Sequence, residues 1–150
     1  MTENLPDLPG CEFCDIAQGR ADAIVVCESK SCLAFFPTKP AVLGHTLVVP
    51  RSHVQDLWDV RAPLDEALMA MVLRVGRALE EVVHAEGMNL ISSAGGAASQ
   101  SVLHLHLHVV PRWRGDRIGD IWPPPIPSSE AVREDLAELV RAQCGGAAEP

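Results

Sequence analysis

Between His104 and Val110 the chain alternates imidazole with aliphatic side chains, His-Leu-His-Leu-His-Val-Val. Successive side chains of a strand point to opposite faces of a sheet. The pattern therefore predicts a strand over 102–110. Leu103, Leu105, Leu107 and Val109 would face a core, and His104, His106 and His108 would line the other face. Neighbouring histidines on such a face stand about 6.6 Å apart at Cα, and the outer two about 13 Å. Zinc–nitrogen bonds are only about 2.0–2.1 Å long. One ion cannot comfortably gather all three rings, so the spacing favours a separate role for each. The residues alone leave three readings open: the polar face of a half-exposed strand, a metal site using two of the rings, or a nucleophile. The last draws on the free pKa of imidazole, about 6.5, which keeps a neutral fraction near physiological pH.

The segment before the histidine row bears on the choice. Gly95 and Gly96 permit close backbone approach to a ligand, and Gln100 and Ser101 offer neutral hydrogen-bond donors. Small residues, exposed backbone N–H groups and a histidine row together describe a phosphate site.

Upstream, Ile24–Cys27 and Cys32–Phe36 are β-prone runs suited to a hairpin. His45–Val49 reads as a third strand ended by Pro50, and Met88–Ile91 as another. Leu64, Leu68, Val72, Val75, Leu79 and Val82 recur at steps of three and four. They predict one long helix over about 62–86, stopped by Gly87. Beyond Pro111 the chain is irregular through Pro125. Ser128 or Ser129 can then cap a terminal helix with Val132, Leu136, Leu139 and Val140 on one stripe. Strands beside strands with one long helix inserted predict an α+β domain around an antiparallel sheet. Residues 1–10, with two prolines and a glycine, read as a mobile leader.

The 150 residues suit one domain. With 12 basic against 20 acidic side chains the net charge is −8, which gives no footprint for non-specific nucleic-acid binding. No run of about 18 apolar residues is present, so no membrane-spanning helix is expected. The first residues lack the basic start and apolar run of a secretory leader, and a cytoplasmic location is the expectation. Five cysteines, an odd number, suit thiols or metal ligands better than a disulfide framework. Cys11-Glu12-Phe13-Cys14 has the spacing of half a zinc site, and redox pair, metal half-site and coincidence all remain open for it.

The chain resembles the histidine triad (HIT) family of nucleotide-binding proteins. The family's His-φ-His-φ-His-φ-φ signature, with φ apolar, is matched from His104 to Val110. Cys11–Ile16, Gly44–His53, Gln100–Val102 and Pro111-Arg112 match further family segments in the correct order. The likeness covers 11–117 as a HIT domain and leaves 118–150 as a C-terminal extension. It implies a HIT-like α+β fold with a five-stranded antiparallel sheet, one long helix and a C-terminal helix. It also implies a homodimer.

The activity implied is nucleotidyl transfer or hydrolysis at the α-phosphate of a purine nucleotide conjugate, a phosphoramidate or a dinucleoside polyphosphate. His106 would be the nucleophile, forming a nucleotidyl-imidazole that water cleaves. Its second ring nitrogen would donate to the backbone carbonyl of His104. His108 and His45 would hold phosphate oxygens, and Gln100 and Ser101 would support the phosphate and leaving group. Phe13, Ile16 and Phe35 match the base cleft. The likeness also implies a structural zinc on Cys11, Cys14, His53 and His104. Two positions depart from the pattern. Pro37 stands where an Asp contacts the ribose, and Ser93 where an Asn is common, so Ser93 offers one donor fewer at the substrate. These departures motivate a second expectation, a nucleotide-binding adaptor with little or no catalysis.

Overall fold

The structure is a computed structural model and describes residues 7–146. The leader predicted over 1–10 therefore lies outside the described residues up to residue 6. Beyond it, Leu8 O accepts from Cys11 N at 3.0 Å, and the Asp7 carboxylate pairs with Arg20 at 2.7 Å. The chain divides into two compact units between Arg117 and Ile118.

The first unit contains helix α1 (Glu12–Ala17), strands β1 (Ile24–Glu28), β2 (Cys32–Phe36) and β3 (Thr46–Pro50), the long helix α2 (Leu64–Val83), and strands β4 (Gly87–Ser92) and β5 (Leu107–Arg112). The five strands form one sheet in the order β1-β2-β3-β5-β4, with every neighbouring pair antiparallel. This is the expected five-stranded α+β architecture.

Alternation decides which residues meet which layer. On one face, Ala34, Val48, Leu107 and Val109 pack with Leu105 against Leu68, Met71, Val72, Val75 and Leu79 of α2. Fully burying a side chain of this size contributes roughly 1.5–3 kcal/mol. On the other face, Leu33, Phe35, Leu47 and Val49 pack against Phe13 of α1. Because both faces are covered, all five residues of β3 are buried. His108 is the register partner of Leu47, so the histidines emerge on the α1 side.

Two predicted boundaries move. The long helix ends at Val83, and its stop is His84, which takes the left-handed conformation at φ 53°. Gly87 is already in β4, paired with Arg112. Val82 consequently leaves the buried stripe, at 76% exposure, and Met71 joins it at 3%. The last strand begins at Leu107 rather than 102 and continues to Arg112. Leu103, expected in the core, is 57% exposed, whereas Leu105, Leu107 and Val109 are buried as expected.

In the second unit, α3 spans Glu130–Gly146. Its start is capped by Ser129, whose hydroxyl accepts from Val132 N at 3.3 Å. Arg141 and Glu134 pair along it at 2.9 Å.

Candidate active site and metal centre

Three histidines converge where β3 and β5 run side by side. Gly44, at φ +84°, turns the chain into β3. The turn brings Ala41 N–H to within 3.0 Å of His45 Nδ1. That nitrogen is thus an acceptor, and in the neutral ring the proton sits on Nε2. His45 Nε2 lies 2.9 Å from His108 Nδ1, so it donates there and leaves the His108 proton on Nε2. His106 Nδ1 lies 2.7 Å from His104 O. A carbonyl can only accept, so His106 Nδ1 carries the proton and the Nε2 lone pair is free.

The rings of His106 and His108 are 5.0 Å apart at 67°. Burial pushes the His45 pKa down. Burial first, and then the neighbouring His106 and His45, pushes His108 down to about 4. Both rings are neutral hydrogen-bonding groups at neutral pH, which is what the tautomer chain requires.

These rings open onto a cleft of about 550 Å³, also lined by Phe13, Ile16, Phe35, Pro37 and Ser101. That volume falls within the usual range for small-molecule sites. Phe13 is 5% exposed. It meets Phe35 edge-on at 5.5 Å and His106 at 5.3 Å, so it is core and cleft wall together. The sequence reasoning omitted Leu47, Val102, Asp22 and Lys39, which share the lining. Leu47 could have been found from its register with His108, whereas the two charged side chains arrive from irregular segments with no motif.

Gln100 and Ser93 are not among the lining residues. The Gln100 carbonyl accepts from Gly95 N at 2.8 Å, and its amide donates to Gln55 O at 2.7 Å and Val102 O at 3.1 Å. Both amide protons and one carbonyl lone pair are thus engaged within the protein, bracing the glycine loop beside the cleft. Ser93 is half-buried just beyond β4.

Next to this histidine row, Cys11, Cys14, His53 and His104 bring their donor atoms within 4.8 Å of one another. Cys11 precedes α1 and Cys14 lies in its first turn, so the short helix delivers both sulfurs to one side. Cys11 Sγ is 3.4 Å from His104 Nδ1. Cys14 Sγ is 3.4 Å from His53 Nδ1 and 3.5 Å from His104 Nδ1. Zinc bonds of about 2.3 Å to sulfur and 2.0–2.1 Å to nitrogen at tetrahedral angles put S and N about 3.6 Å apart. The set therefore fits a closed Cys₂His₂ zinc site. The second ring nitrogen of His104 donates to Pro50 O at 2.9 Å, which turns Nδ1 toward the ion as a ligand's outer partner should.

A family model described as the HIT domain matches residues 18–115. The chain belongs to the histidine triad family. Its structure superposes on that of a Streptococcus mutans protein with a TM-score of 0.87 at 31% identity, covering 96% of this chain and 93% of the other. A zinc-bound histidine triad protein from Mycobacterium smegmatis is 38% identical, with a TM-score of 0.69 over 89% of this chain and 97% of its own. That neighbour and the four-residue cluster together support zinc as the structural metal of this HIT protein. A relative in Arabidopsis thaliana, adenylylsulfatase HINT3, is 29% identical over 86% of this chain and 61% of its own length. Histidine triad proteins bind nucleotides and are typically hydrolases, and this chain carries the family's histidines in order.

Proposed function

We propose that the protein is a nucleotidyl hydrolase or transferase acting at the α-phosphate of a purine nucleotide conjugate, a phosphoramidate or a dinucleoside polyphosphate. The observation that carries this reading is the 2.7 Å contact from His106 Nδ1 to His104 O, which frees Nε2 to attack. The Nε2–P bond forms as the bond from phosphorus to the leaving group breaks, and the leaving group departs with that electron pair. The ring gains positive charge, which the His104 carbonyl stabilises through Nδ1–H. Water then attacks phosphorus and gives up a proton to solvent as the Nε2–P bond breaks, which releases the nucleoside monophosphate and returns the lone pair to Nε2.

His108 Nε2–H, oriented through His45, donates to a phosphate oxygen. Losing one such donor costs about 10²–10³ in rate in well-studied enzymes. Ser101 lines the leaving-group side, and Phe13, Ile16 and Phe35 clasp the base. Gln100 acts by holding the loop, and Ser93 from behind it. The HIT domain occupies 11–117, and 118–150 is an extension. The zinc ligands need thiolates, which suits a reducing cytoplasm.

The protein works as a homodimer on this reading. β4 is an edge strand, and the groove between it and α2 is lined by Met69, Leu73, Met88 and Leu90, each 36–49% exposed. Light scattering at twice the 16.1 kDa chain mass would support it, and a strict monomer would remove it.

The second reading, a binding adaptor, draws on Pro37, which offers no acceptor to a ribose, and on the engaged Gln100 amide. One experiment separates the two. Rapid quench into alkaline denaturant with adenosine phosphoramidate, read by intact mass without acidification, should reveal an acid-labile adenylyl adduct on the wild type and none on His106→Asn, with AMP released only by the wild type. Tight binding without adduct or AMP would favour the adaptor.

A further inference from the structure

The segment that carries His106 lies outside the sheet. The β3–β5 ladder ends at Val48 opposite Leu107. Continued by that register, Leu105 would face Pro50, which has no N–H to give. The His104 ring occupies Pro50 O instead. Two ties then join this segment to the loop after β3. Leu105 N donates to Val54 O at 2.7 Å. One residue earlier on both sides, His53 and His104 share the metal set.

The same His104 that offers Nδ1 to the metal offers its carbonyl to His106 Nδ1–H. We infer that the metal site positions the nucleophile: by clasping His104 to His53, it holds the carbonyl that keeps the His106 proton on Nδ1 and the lone pair on Nε2. Cys11, Cys14, His53 and His104 are, on this view, positioning residues that act through one carbonyl. The inference rests on His106 being the nucleophile. It goes beyond a role in stability, since a purely structural metal would leave the His106 tautomer unchanged in any chain that stays folded.

The test is long-range ¹H–¹⁵N spectroscopy of the full chain labelled at histidine, at a pH above the imidazole titration range. With zinc, His106 should be one form, protonated on Nδ1. After chelation, with the sheet intact by circular dichroism, that signature should be lost to a mixture containing the Nε2–H form. Single-turnover adenylylation should fall with the Nδ1–H fraction. His53→Asn, read with and without added zinc, should show the same mixture. An unchanged Nδ1–H form in the folded, metal-free chain overturns the inference.

If chelation unfolds the chain, the comparison is zinc against cadmium, whose longer bonds shift His104. A His106 Nδ1 resonance that follows the metal supports the inference, and an identical spectrum overturns it. A zinc-loaded protein that forms no adduct would defeat the nucleophile assignment while leaving the tautomer result standing.

Discussion

At the scale of single residues, the site is governed by which nitrogen carries which proton. Ala41, His45 and His108 form a directed chain from one backbone amide, and His104 O sets His106. The chain works only with neutral rings, which gives a pH signature. Imidazole ordinarily titrates near 6.5, and in the folded protein His108 is held down to about 4, with His45 lowered as well. As pH falls below about 6.5, the unfolded chain takes up protons that the folded one refuses, so stability declines toward pH 4. Above 6.5 these rings contribute no slope. Urea midpoints measured from neutral pH to pH 4 should fall less steeply in His108→Asn than in the wild type. Equal slopes would mean that His108 is not held neutral by its surroundings.

Among elements, periodicity was readable and boundaries were not. The steps of three and four from Leu64 to Leu79 mark α2, and the alternation from Leu105 to Val109 marks the core side of β5 and of the segment that leads into it. The place where β5 leaves the ladder depends on Pro50, a residue 55 positions before Leu105 that the register alone brings opposite it. No local pattern encodes that. The zinc ligands were readable because the family likeness linked Cys11 and Cys14 to His53 and His104. The loop-bracing contacts of Gln100 were not readable for a chemical reason: an amide looks the same in sequence whether it serves a ligand or its own loop.

The turn into β3 gives a prediction at this scale. A Cβ on Gly44 would stand 3.0 Å from Leu79 Cδ2 and 3.3 Å from Pro111 Cγ, at a φ of +84°. Gly44→Ala should cost about 1–3 kcal/mol by urea unfolding, from backbone strain plus crowding between α2 and β5. A change within about 0.5 kcal/mol, the usual surface value, would mean that this junction yields freely.

Over the whole molecule, every residue of the metal set, the histidine row and the cleft precedes the division between Arg117 and Ile118. A chain ending at Arg117 is therefore expected to bind one equivalent of zinc and to unfold cooperatively. Its helical circular dichroism should fall by the share that α3 supplies. Zinc titration with a chromophoric chelator and a denaturant melt check this, and a truncated chain that binds no zinc would tie the extension to the integrity of the site.

The order β1-β2-β3-β5-β4 has one more consequence. His45 adjoins β3 and His108 sits in β5, the two strands hydrogen-bonded to each other and flanked on their outer sides by β2 and β4. Fraying begins at a sheet's margins, where amides exchange with solvent soonest. The margins here can loosen and reseal while the His45–His108 pair stays assembled, so tolerance to thermal breathing is built into where those two rings were seated.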